Sequence, residues 1–72
     1  MGKEISFLIY CIERYRYFKG LSGKEAAVLF DEYDIYRYII KYFETLHTMG
    51  DRALVEEIDE YIAARSGDRR GT

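Results

Sequence analysis

A chain of 72 residues that is 49% apolar makes one domain, near the lower limit for folding alone, able to bury only about 60% of its unfolded surface. It contains no proline, the commonest helix breaker, which favours an all-α fold. A net charge of −2 excludes a general attraction to phosphate backbones, and a single cysteine excludes an internal disulfide or a multi-cysteine zinc site.

The first helix is expected from Lys3 to Lys19, closed by Gly20, a favourable residue just past a helix end. Ile5, Leu8, Cys11, Ile12, Tyr15 and Phe18 share one face at helical spacing, with Phe7 and Ile9 at its edges. Ser6, Tyr10, Glu13, Arg14 and Tyr17 fall opposite. Cys11 therefore reads as a small buried hydrophobe, since a reactive thiol needs exposure and a partner that lowers its pKa. The run from Ile5 to Ile12 is too short to span a membrane, is followed by Glu13 and Arg14, and lacks a small-residue cleavage site. A cytoplasmic protein without a membrane segment is expected.

The second helix has the clearest start signal: in LSGKE, Ser22 is an N-cap and Glu25 follows three residues on, the pattern of a capping box. Ala26, Leu29, Phe30 and Tyr33 form its apolar stripe. A third helix is expected to begin at a capping Asp34 and to bury Ile35, Ile39, Tyr42, Phe43 and Leu46. Gly50 ends it, and Asp51 is expected to cap a fourth helix whose core face is Leu54, Val55, Ile58, Tyr61 and Ile62. Glu56, Glu57, Asp59 and Glu60 are assigned to its solvated side. The segment SGDRRGT carries no apolar residue. The expected architecture is a compact bundle of four short helices over residues 1–65, followed by a disordered tail, 66–72.

No constellation for catalysis emerges, and no cofactor is implied. The one histidine and the one cysteine lie on different helices, and the carboxylates of the fourth helix project into solvent. Glu44 and His47 have the Glu-x-x-His spacing of di-iron bundles, but one such motif is weak, so no metal site is assigned. His47 is expected at the core boundary beside Tyr36 and Ile40. Residues Ser22 to Phe43 can be read as a helix-turn-helix with Arg37 and Lys41 on the reading face. Asp31, Glu32, Asp34 and Glu44 crowd that region and oppose phosphate contacts, which leaves DNA binding as the alternative reading.

Protein binding is the preferred class. Tyr and Arg are enriched at interface centres, and Tyr10, Arg14 and Tyr17 share a polar face with Glu13. Tyr38, at the edge of the third helix's stripe, joins them as a candidate partner-binding residue. Glu13 and Arg14 alternate with the two tyrosines, so an antiparallel second copy could pair opposite charges there and form a homodimer.

The segments EISFLIYCIE, LSGKEAAVLF, YIIKYFETLHTMGD and VEEIDEYIAAR together resemble a family of short bacterial proteins, domain of unknown function 3791. The resemblance runs from Lys3 to about Arg65, with LSGKE and LHTMG its most distinctive parts. The family often has Gly where this chain has Asp34. The resemblance carries no catalytic residues to this chain. It implies a small partner encoded beside a larger protein with an ADP-ribosyltransferase-like domain, in an arrangement suggestive of toxin and antitoxin.

Overall fold

Local signals set the helix ends in a computed structural model that describes the backbone of residues 2–71 and the side chains of residues 2–66. Helix α1 (Lys3–Lys19) stops at Gly20, whose φ of 68° lies in the left-handed region open to glycine. The Leu21 amide then donates to the Arg16 carbonyl at 2.9 Å and the Gly20 amide to the Tyr17 carbonyl at 3.4 Å, a Schellman closure. Helix α2 (Gly23–Glu32) opens on the expected capping box: the Glu25 amide donates to the Ser22 hydroxyl at 3.0 Å, and the Ser22 amide to the Glu25 carboxylate at 2.8 Å.

The expected third helix is two helices, α3 (Ile35–Lys41) and α4 (Phe43–Leu46), separated at Tyr42 with φ −109° and ψ 26°. Unbroken periodicity would have put Tyr42 in the core. The break instead keeps Leu46 buried and turns Tyr42 outward, where it is 45% exposed. Asp34 does not cap α3 with its side chain. It adopts φ 54° and ψ 41°, and its carboxylate pairs with Arg37 at 3.2 Å. Asp51 is likewise no cap: the Leu54 amide donates to the Gly50 carbonyl at 2.9 Å, and Asp51 is the first residue of α5 (Asp51–Gly71). The described residues thus form five helices, not four, and no strand.

Cys11, Tyr15, Phe30, Ile35, Ile39, Leu46, Leu54, Val55 and Ile58 make the buried core. Phe30 sits at its centre, edge-on to Tyr15 and to Tyr36 with ring centroids 5.6 Å away in both cases. Ile5 and Phe18, assigned to the core by their face, are 44% and 43% exposed because they lie near the two ends of α1, beyond the reach of the packed helices. Residues 67–72 of the expected tail lie outside the described side chains. Ser66, its first residue, is half-buried with its hydroxyl 2.8 Å from that of Tyr33, so the packed unit extends past residue 65.

Polar clasps close α1 onto α5. The buried Tyr15 hydroxyl donates to Asp59 at 2.6 Å, and the Lys19 ammonium reaches the other oxygen of the same carboxylate at 2.7 Å. Two turns earlier on α5, Asp51 accepts from the Tyr10 hydroxyl and faces the Arg14 guanidinium at 3.9 Å. Asp59 is therefore not a member of a solvated face, and neither is half-buried Glu57; Glu56 and Glu60 are.

The left-handed residue at the α2–α3 joint makes a direct prediction. Asp34→Gly should stay within about 0.5 kcal/mol of the parent or exceed it, because glycine adopts this conformation freely. Asp34→Val should lose about 1–2 kcal/mol, because a β-branched side chain clashes there. Urea denaturation of both variants checks the pair, and a valine variant as stable as the parent contradicts it.

Candidate functional site

Tyr38 and Tyr42 lie one turn apart on α3 and its break, while Glu57 and Tyr61 lie one turn apart on α5. The two pairs face each other. The Tyr38 ring stacks on Tyr61 at 4.0 Å and 19°, and its hydroxyl donates to the Glu57 carboxylate at 3.0 Å. Tyr42 tilts against Tyr38 at 5.3 Å and forms the next wall. Burial, and after it the hydrogen bond and charge of Glu57, push the Tyr38 phenol up to about 12, with Tyr42 and Tyr61 adding to the shift.

Around these rings runs an open groove. One section, of about 490 Å³, is lined by Tyr38, Tyr42, Thr45, Leu46, Met49, Glu57 and Tyr61. The next, of about 310 Å³, is lined by Asp34, Arg37, Tyr38, Lys41, Tyr42, Tyr61 and Arg65. Lys41 stands over Tyr42 with its ammonium 5.5 Å from the ring centroid, and Arg65 over Tyr61 at 5.3 Å.

The residues singled out in the sequence divide between two places. Tyr10, Glu13, Arg14 and Tyr17 lie on α1, and the first three already have hydrogen-bond or ion-pair partners within the chain. Tyr10 and Arg14 hold Asp51, and Glu13 pairs with Arg16 at 3.1 Å. Arg14 is half-buried, with its guanidinium 5.4 Å from the Tyr17 ring centroid. Tyr17, at 71% exposed, is the open part of that face. Tyr38 belongs elsewhere: on α5 its partner Glu57 is roughly 160° around the axis from Asp59, the residue that holds α1. Tyr42 and Tyr61 were assigned to the core and Arg65 to the end of the last helix. The i, i+4 pairs Tyr38–Tyr42 and Tyr61–Arg65 were the available signal for the groove.

Cys11 is fully buried, and burial pushes its thiol up to about 12. His47 is exposed rather than at the core boundary. Its ring stacks on Phe43 at 4.6 Å and 6°, and its Nδ1 lies 2.8 Å from the Phe43 carbonyl oxygen. Among the described residues no group of three or more His, Cys, Asp or Glu gathers as a metal site, and no helix is long and apolar enough to cross a membrane.

Fold and groove together define an all-helical bundle with a tyrosine-lined cleft between α3–α4 and α5. A family model matches residues 6–65, and the chain belongs to that family, described as protein of unknown function (DUF3791). Neither the curated proteins nor the solved structures contain a match to it.

The Tyr38 phenol fixes the sign of an alkaline effect. Its folded pKa is above the ordinary value of 10.0, so its contribution to stability is fully present below that value and is lost as pH rises through about 12. Tyr38→Phe should therefore flatten the fall in urea midpoint over that interval. An unchanged slope contradicts the Tyr38–Glu57 bond.

Proposed function

We propose that this chain is a non-catalytic protein-binding module that takes its partner in the groove around Tyr38, Tyr42 and Tyr61. The supporting observation is that three tyrosines, Tyr38, Tyr42 and Tyr61, line one open cavity, with Tyr42 45% exposed. Tyrosine gives large contact area at low entropic cost, and interface hot spots are rich in it. The groups whose pKa values move support a non-enzymatic reading. Cys11, Tyr15 and Tyr38 are all shifted upward, toward the protonated form that neither attacks nor accepts a proton.

The first partner to try is the one the family resemblance implies: an adjacent ADP-ribosyltransferase-like protein in the cytoplasm, for which this chain would act as an antitoxin. Calorimetry on the mixed proteins should show binding at micromolar concentrations. Tyr42→Ala should weaken it about tenfold or more, while leaving the thermal midpoint of the free chain nearly unchanged. Silence from the parent protein removes that partner. Equal affinity of parent and variant removes the groove.

DNA binding is the second reading, favoured by the exposed Arg37, Lys41 and Arg65 at one end of the groove. It is opposed by the shortness of α3, seven residues, and by Asp34, which already neutralises Arg37. A gel shift with the upstream DNA at low salt, where phosphate contacts are strongest, separates the two readings.

A further inference from the structure

The groove differs along its length. At one end Tyr42, Leu46 and Met49 give it an apolar floor; at the other stand Arg37, Lys41 and Arg65. One carboxylate, Asp34, lines the cationic end, and it is paired with Arg37. Three cations less one carboxylate leave a local excess of two positive charges, on a chain whose net charge is −2. Among the described residues no ion pair engages Lys41 or Arg65; each is held over a tyrosine ring instead. Their charges are thus positioned but not neutralised.

Resting on the docking role of this groove, we infer that its occupant is an acidic amphipathic segment of a partner protein. Its apolar side chains lie on the Tyr42–Leu46–Met49 floor, and a carboxylate meets Lys41 and Arg65. Both ends of the groove constrain the segment. From Glu57 to Arg65, α5 rises about 12 Å, the length of two helical turns or about four extended residues. Glu57 lines the apolar section and Arg65 the cationic one, so the apolar anchor and the carboxylate stand up to about seven or eight positions apart in a helical segment, or up to about three or four in an extended one. A nucleic acid is a poorer occupant. Its phosphates have no use for the apolar half, and the acidic chain repels a long polyanion.

The test pans a displayed library of random peptides, each about twelve residues long to cover two helical turns, against the full chain, with counter-selection on Tyr42→Ala. Enriched peptides should carry Asp or Glu at the stated spacing from an apolar residue. A synthetic copy of one should bind the triple variant Arg37→Glu, Lys41→Glu, Arg65→Glu at least about tenfold more weakly than the parent. Its counterpart with Lys in place of the acidic residues should recover binding to that variant, which also shows that the variant is folded. Peptides that depend on Tyr42 but carry no acidic preference overturn this inference and leave the docking groove standing. Absence of any Tyr42-dependent peptide overturns both. Enriched sequences that copy segments of this chain overturn the assignment to a partner and point to self-association.

Discussion

Tyr15 and Asp59 make the contact on which the arrangement of the helices turns. The Tyr15 ring is buried against Phe30, so its hydroxyl needs a partner within reach; a buried donor left alone costs about 1–3 kcal/mol. Asp59, 44 residues along the chain, supplies it. Burial, then the hydrogen bond and charge of Asp59, raise the Tyr15 phenol and hold it protonated as the donor. Lys19 neutralises the same carboxylate at a half-exposed edge, where an ion pair contributes little on its own. The rotation of α5 about its axis follows from this bond. With Asp59 turned toward α1, Leu54 and Ile58 enter the core, and Glu57 and Tyr61 are carried round to α3.

The groove is a consequence of that rotation combined with the break at Tyr42. A continuous helix from Ile35 to Leu46 would have filled the space beside α5 with Tyr42. Bending at Tyr42 buries Leu46 and lets the Tyr42 ring swing to the rim, so the cleft between α3–α4 and α5 stays open. Tyr38 and Tyr61 form its firm part, stacked on each other and tied to Glu57. The same helix therefore has a sealed flank, clasped to α1 through Asp51 and Asp59, and an open one.

What the sequence disclosed depended on how local the cause was. Gly20 and the Ser22–Glu25 box act within a few residues, and both helix ends lie where their patterns placed them. Periodicity found Ile39, Leu54 and Ile58 because a single face is enough to bury them. It failed at Tyr42, where neither proline nor glycine marks the bend and packing of Leu46 decides. It failed also for the polar residues at helix contacts. Asp51 and Asp59 read as a cap and a solvated acid until α1 lies beside them, and Arg14 reads as free until Asp51 does. Asp34 shows a further limit: its left-handed backbone is set by the tight joint between α2 and α3, and an aspartate at a helix start suggests capping more readily than a positive φ.

In the free protein α5 is sealed on one flank and open on the other. The most direct test is side-chain NMR with a soluble paramagnetic agent, which broadens signals from atoms the solvent can approach. Strong broadening is expected at Tyr42, moderate broadening at Met49 and Tyr61, and protection at Tyr15, Phe30 and Ile58. Protection of Tyr42 and Met49 equal to that of Phe30 would contradict the open flank, because the groove would then be closed and the aromatic cleft only an extension of the core.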